Sequence, residues 1–171
     1  MRHLLYVALA VVLAIVAAVI LGTSGTLPPI VASHFALGGR PNGWMSHDFY
    51  VIFILGVGIA VPLFIALAMS WLPRIAPRLV NAPNKDYWLA EPRREASLGA
   101  LSTFGCLIGM LVGLFVLAIH LLTVNANAQV PPRLDESLLV ALLVVFVVSL
   151  VAIIIGVFVR VRAGTGRGMQ G

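Results

Sequence analysis

Four long apolar runs constrain this chain more than any other feature of its sequence. They contain no Asp, Glu, Lys or Arg, and they cover residues 4–21, 49–72, 98–124 and 138–159. A helix rises about 1.5 Å per residue, so about 20 apolar residues cross a hydrocarbon core about 30 Å thick. Only 10% of all residues are charged, whereas about a quarter are charged in a typical soluble domain. The sequence therefore predicts an all-α integral membrane protein, a bundle of four transmembrane helices in the lipid bilayer.

The first run begins after Arg2 and His3, as the apolar core of a secretory signal peptide also would. The run is longer than the about 7–15 residues of such a core, and no A-x-A cleavage site follows it. We therefore expect a retained helix within a single transmembrane domain that covers residues 1–159. The remaining residues, 160–171, are basic and Gly-rich and are expected to form a flexible tail.

Basic residues are distributed unevenly among the segments that separate these runs. Segments 1–3, 73–97 and 160–171 together carry nine Lys and Arg residues, whereas 22–48 and 125–137 carry only Arg40 and Arg133. Basic residues accumulate on the cytoplasmic side of membrane proteins. We therefore expect both termini and loop 73–97 in the cytoplasm, and loops 22–48 and 125–137 outside. This placement accounts for the net charge of +5 without a nucleic-acid partner.

Residues 27–48 form the longest polar segment between apolar runs that the basic residues setting membrane topology do not explain. The Gly38-Gly39 pair and Pro41-Asn42-Gly43 are typical of turns, because glycine and asparagine adopt positive φ at low cost. Residues 30–37 are compatible with a short amphipathic helix. Trp44, Tyr50 and Trp71 flank the second run, as aromatic anchors at a membrane interface do.

Two segments resemble a bacterial membrane domain of unknown function that also forms the N-terminal part of SdpI-type immunity proteins. The outer loop matches its signature L-P-x-x-x-x-x-H-F-x-x-x-G-x-P-[DN]-G-[WY] at Leu27-Pro28, His34-Phe35, Gly39 and Pro41-Asn42-Gly43-Trp44. A second motif of stand-alone members is matched by Asn81-x-Pro83-Asn84-Lys85-Asp86-Tyr87-Trp88. The resemblance covers about residues 5–125, and the sequence departs from SdpI proper in lacking its further C-terminal membrane region.

The resemblance implies a non-enzymatic component, because SdpI-type proteins protect a producer cell from a secreted killing peptide and relay its presence to a regulator. We therefore expect an immunity-like or sensory component of a bacterial inner membrane that engages a peptide, lipid or protein partner at the outer loop, without a cofactor. The candidate binding residues are His34, Phe35, Gly39, Pro41, Asn42 and Gly43 outside, and Asn84, Lys85, Tyr87 and Trp88 inside.

A metal-dependent enzyme on the outer face is the alternative. It would use His34, His47 and His120, since neutral imidazole is a common zinc ligand. Their spacing matches no compact ligand motif such as H-E-x-x-H. Two of them also have a purely structural interpretation: His34 forms a hydrogen bond within its loop, and His120 lies at the membrane interface.

The third apolar run carries three glycines at four-residue spacing, Gly105, Gly109 and Gly113. In lipid, such a stripe permits close approach and van der Waals packing of another helix. The sequence leaves open whether that helix belongs to the same chain or to a second copy in a homo-oligomer. The spans hold no Asp, Glu, Lys or Arg, which argues against an ion-coupled or proton-coupled carrier.

Overall fold

The computed structural model describes residues 2–79, 89–91 and 93–166. Within them the chain forms four long helices, a two-stranded antiparallel hairpin between the first two helices, and a 3-10 turn at Pro77–Leu79. The helices are α1 (Arg2–Ser24), α2 (His47–Ile75), α3 (Arg94–Asn127) and α4 (Glu136–Gly166), and the strands are β1 (Ile30–Phe35) and β2 (Pro41–Ser46). All four helices are long and apolar enough to cross a membrane, which confirms the predicted all-α four-helix membrane architecture.

The helix α3 is the central element of the bundle. It packs against α1, α2 and α4, whereas α4 packs mainly against α3. The most apolar stretch of α4 has no buried residue, so most of this helix presents Leu, Val and Ile side chains outward, as a lipid-facing helix does. The compact core is therefore made by α1, α2 and α3. We call the end of the bundle that carries the two strands the hairpin end.

Close contact between α2 and α3 depends on the glycine stripe. A Cβ atom at Gly109 would lie 2.8 Å from the Pro62 carbonyl oxygen, and one at Gly105 would lie 2.8 Å from the Met69 Cβ. A Cβ at Gly113 would lie 3.1 Å from a methyl group of Leu13 in α1. The stripe thus packs within the chain, with the backbone of α3 almost touching that of α2.

The hairpin replaces the short helix considered for residues 30–37, and that expectation is wrong. The Ala36 N–H donates to the Arg40 carbonyl at 2.8 Å, and the Gly39 N–H donates to the Ala36 carbonyl at 3.0 Å. This tight turn requires positive φ, which Gly38 (+88°) and Gly39 (+71°) supply.

The segment Pro41-Asn42-Gly43, predicted as a turn, instead opens β2. The Gly38-Gly39 pair already reverses the chain two residues earlier, so the next residues are free to pair with β1. Pro41 is the first residue of its strand, a position where the missing N–H is tolerated.

Candidate functional site

The base of the hairpin is bonded to the junction of α1 and α2. The His47 N–H donates to the Pro29 carbonyl at 2.9 Å, and its ring Nε2 donates to the Ser24 carbonyl at 3.1 Å. Its ring Nδ1 lies 2.9 Å from the Asp48 carboxylate. A carbonyl and an ionised carboxylate only accept hydrogen bonds, so the imidazolium form of His47 satisfies both partners. The ring is thus a second donor to the Ser24 carbonyl at the end of α1, which also accepts from the Leu27 N–H at 3.0 Å.

The middle of β1 is held by Asn127, the last residue of α3. The Ala32 N–H donates to Asn127 Oδ1 at 2.8 Å, and Asn127 Nδ2 donates to the Ala32 carbonyl at 2.9 Å. The second Nδ2 hydrogen reaches the Thr123 carbonyl at 2.9 Å. The Asn127 side-chain amide therefore makes the two hydrogen bonds to Ala32 that the backbone of a neighbouring strand would make. Sequence reasoning missed this residue, and its only local signal is a polar side chain at the end of an apolar run.

The tip of the hairpin is bonded to the segment that leads into α4. The Leu134 N–H donates to the Gly39 carbonyl at 2.9 Å, and the Gly38 N–H donates to Glu136 Oε1 at 2.6 Å. A Cβ atom at Gly39 would clash with the Leu134 carbonyl oxygen. Only glycine fits at position 39, where both the φ angle and the contact exclude a side chain.

The underside of the hairpin is part of the core. Val31 is fully buried, and it belongs to the same apolar cluster as Ile20 of α1, Tyr50 of α2 and Val116 of α3. The hairpin is therefore fixed at its base, middle, tip and underside, and its remaining surface forms a rigid platform across the helix ends.

The exposed side of the platform carries two of the six candidate residues of the outer loop. His34 Nδ1 donates to Asn42 Oδ1 at 2.6 Å across the strands, and both side chains are exposed. Gly43 lies opposite His34, and a Cβ there would be 3.0 Å from the His34 Cβ. The half-buried Phe35 and Pro41 pair beside the turn. The fold thus brings all six into one hairpin, where Gly39 is a docking residue.

Apolar side chains flank this polar pair. Leu37 at the tip is 97% exposed, and Trp44 in β2 is 56% exposed. The platform therefore combines a fixed hydrogen-bonding pair with exposed apolar groups.

Beneath the platform, His120 lies in a buried hydrogen-bonded node, and its level at the membrane interface stays a prediction. Its side chain is 0% exposed. The Thr23 hydroxyl donates to the Val19 carbonyl at 2.7 Å, so the hydroxyl oxygen accepts from His120 Nε2 at 2.8 Å. His120 Nδ1 then accepts from the Tyr50 hydroxyl at 3.1 Å. Tyr50 is also buried, so its ring packs inside the bundle and is not an interfacial anchor. The node joins α1, α2 and α3 through a neutral ring.

A second polar cluster joins the same three helices near the opposite end. The Tyr6 hydroxyl donates to Ser70 Oγ at 2.8 Å. The half-buried Arg74 guanidinium donates to the Ser70 carbonyl and, at 3.2 Å, to Ser102 Oγ. These contacts satisfy a cationic group at a helix end, where long basic side chains reach toward the membrane surface.

The described residues do not assemble the alternative metal site. No three His, Cys, Asp or Glu side chains in this part of the chain come together as metal ligands. His34 is hydrogen-bonded to Asn42, and His47 is hydrogen-bonded to Asp48 and Ser24. His120 is hydrogen-bonded to Tyr50 of α2, beneath the platform.

The four candidate residues of the cytoplasmic loop, Asn84, Lys85, Tyr87 and Trp88, lie outside the described residues. The platform at the hairpin end is therefore the candidate site that the structure describes. Comparisons with protein-family models, curated proteins and solved structures give no match to this chain.

Proposed function

We propose that this chain is a non-enzymatic binding component of a bacterial inner membrane, with both termini in the cytoplasm. Its platform engages a membrane-active peptide at the outer surface, as an immunity-like or sensory component would. The observation that carries this proposal is the rigid attachment of the hairpin, with His34, Asn42, Leu37 and Trp44 left exposed on it. A surface that is ordered before binding loses little conformational entropy when a partner docks.

The exposed groups match an amphipathic peptide. Such a peptide lies in the membrane interface with an apolar face and a charged face. Leu37 and Trp44 offer apolar contacts, and the polar pair of His34 and Asn42 offers hydrogen bonds beside them. The node at His120 lies directly under the platform, so displacement of Val31 or Tyr50 by a bound peptide would reach all three core helices.

The orientation of the chain is open to a direct test by cysteine labelling in intact cells. We expect Leu37→Cys, on a Cys106→Ala background, to react with an impermeant thiol reagent added outside. We expect Leu79→Cys to react only after the membrane is permeabilised, because the excess of basic residues lies on its side. Both positions are exposed; Leu37 lies in the hairpin turn before α2, and Leu79 lies in the 3-10 turn after it. The reverse labelling pattern would contradict the proposed orientation.

The binding role is tested by survival of a sensitive strain in co-culture with a competitor that secretes a membrane-active killing peptide. We expect cells that produce the chain to survive at least tenfold better than cells without it. Leu37→Ser should remove this protection.

Val130→Ser is the matched control, because Val130 is a 99% exposed apolar residue at the same end of the bundle but outside the hairpin. Its protection should equal that of the unchanged chain at equal protein levels. Equal survival with and without the chain, or equal loss in both variants, would count against binding at the platform.

A further inference from the structure

The two edges of the hairpin differ in how their backbone groups are satisfied. On the β1 edge, the N–H and C=O of Ala32 are both bonded to the Asn127 amide, so both point away from β2. Ala32 lies opposite Trp44 in the antiparallel register. Residues directly opposite each other in such a ladder exchange both hydrogen bonds or neither. The N–H and C=O of Trp44 therefore also point away from their neighbouring strand, toward the outer edge of β2.

This β2 edge is open within the described part of the chain. No described backbone or side-chain group is bonded to the N–H or C=O of Trp44. Ser46 lies opposite Ile30, and by the same alternation it directs its N–H outward. Edge strands are usually protected by charged side chains, bulges or prolines. Between Asn42 and Ser46, β2 has no charged residue and no proline, so the edge is able to accept another strand.

We propose that the occupant of this edge is a second copy of the chain, paired with it through β2 in an antiparallel register centred on Trp44. Each Trp44 then exchanges two hydrogen bonds with its equivalent, and Asn42 of one copy lies opposite Ser46 of the other. The two hairpins form one four-stranded sheet. A two-fold arrangement of this kind is self-complementary and closed.

Charge complementarity supports a second copy over an unrelated strand. The same register brings Arg40 of one copy to the same end of the sheet as Asp48 of the other, on both sides of the two-fold axis. Both side chains are exposed, and the Arg40 side chain has no hydrogen-bond or ion-pair partner among the described residues. Opposite charges across an interface fix its register even where they add little affinity.

The orientation of the hairpin on the bundle is compatible with this pairing. Its base is bonded to the end of α1 at Ser24, and its tip is bonded to Leu134 and Glu136 at the start of α4. The strands therefore run across the helix ends. A two-fold axis along the membrane normal keeps both copies in the same orientation in the bilayer, and it makes their β2 strands antiparallel.

The first test is cysteine cross-linking of the full chain in its native membrane, on a Cys106→Ala background, with a short thiol-specific cross-linker. We expect Trp44→Cys to give at least five times more cross-linked homodimer than Ile30→Cys. Ile30 is the matched control, because it is 61% exposed on the other strand of the same hairpin. Equal yields from the two positions would overturn the proposal. A product that joins Trp44→Cys to a chain of different mass would assign the edge to another protein and would overturn it too.

The second test separates backbone pairing from side-chain contact. Chains with Asn42→Cys and chains with Ser46→Cys are co-expressed, and their mixed cross-link reports the register. We expect Trp44→Pro in both chains to reduce this product at least fivefold, because it removes the outward N–H, whereas Trp44→Ala keeps that N–H and most of the product. The N–H is unbonded within the hairpin, so the apparent Tm of the two variants should agree. Equal yields from the two variants would overturn pairing through the backbone.

Charge reversal tests the register by itself. Arg40→Asp places like charges at both ends of the paired strands, so we expect it to reduce the Trp44→Cys cross-link severalfold. Adding Asp48→Arg to the same chain exchanges the two charges and should restore the yield. It also removes the carboxylate beside His47, but the His47 bonds to Pro29 and Ser24 keep the hairpin base attached. A yield that does not respond to either change would overturn the register centred on Trp44.

Discussion

Replacement of Gly109 by leucine is expected to lower the apparent Tm of the detergent-solubilised chain by about 6–12 °C. A Cβ at this position would lie 2.8 Å from the Pro62 carbonyl oxygen, and backbone cannot move aside as a flexible side chain can. Overpacking of this kind costs about 1–3 kcal/mol and occasionally more. In a chain of this size, about 1 kcal/mol shifts Tm by about 2–4 °C, so the upper part of that range gives the expected shift.

Gly56→Leu is the matched control for this experiment. Gly56 lies in α2 at the exposed surface of the bundle, and no atom lies within 4 Å of a Cβ built there. The same substitution should therefore leave the apparent Tm nearly unchanged. A thermal shift no larger for Gly109→Leu than for Gly56→Leu would mean that α2 and α3 are not packed along the glycine stripe.

The helical part of the fold could be predicted because its signals are local. An uncharged apolar run longer than about 18 residues has few structures open to it other than a membrane-spanning helix. The helices start earlier and end later than the apolar runs, and α3 extends to Asn127, because helical hydrogen bonding continues past the last apolar residue. The four-residue spacing of glycines likewise indicated a close helix contact. Its partner, α2, became known only from the fold.

The hairpin was harder to predict because its strands have almost no periodic pattern. In β1 the consecutive residues Val31 and Ala32 are both buried. One fills the core and the other pairs with Asn127, so an alternating pattern never develops. The prediction of a turn at Gly38-Gly39 is confirmed, whereas Pro41-Asn42-Gly43 also consists of turn-forming residues and lies in a strand. Turn residues permit a reversal of the chain, and strand pairing decides which of two adjacent sites is used.

The polar contacts of the site depend on residues distant in sequence. Tyr50 and His120 are 70 residues apart, and Ala32 and Asn127 are 95 residues apart. Tyr50, His120 and Asn127 each look like an interfacial polar group when only the segment around them is considered. Inside lipid, however, a polar group requires a partner, and the fold supplies one by closing α1, α2 and α3 around it. By contrast, His34 and Asn42 are only eight residues apart, and they are hydrogen-bonded within one hairpin.

The attachment of the hairpin leads to the second large effect, which is expected for Asn127→Leu. The substitution leaves both the N–H and the C=O of Ala32 without partners in a buried position. A buried polar group without a partner costs about 1–3 kcal/mol, so β1 should separate from α3 much more often. Since about 1.4 kcal/mol is a factor of ten, we expect amide hydrogen exchange across residues 30–35 to accelerate about 10-fold to 100-fold.

Asn125→Leu is the control that separates loss of the contact between α3 and β1 from loss of a polar side chain at the end of α3. Asn125 is exposed on the same last turn of α3, and it has no described contact with β1, so exchange in the hairpin should remain as in the unchanged chain. Peptide-resolved exchange by mass spectrometry in nanodiscs measures both variants. If Asn127→Leu exchanges no faster than Asn125→Leu, the amide does not hold the strand. If only Asn127→Leu accelerates exchange and also loses protection in co-culture, binding depends on a platform that is fixed before the peptide arrives.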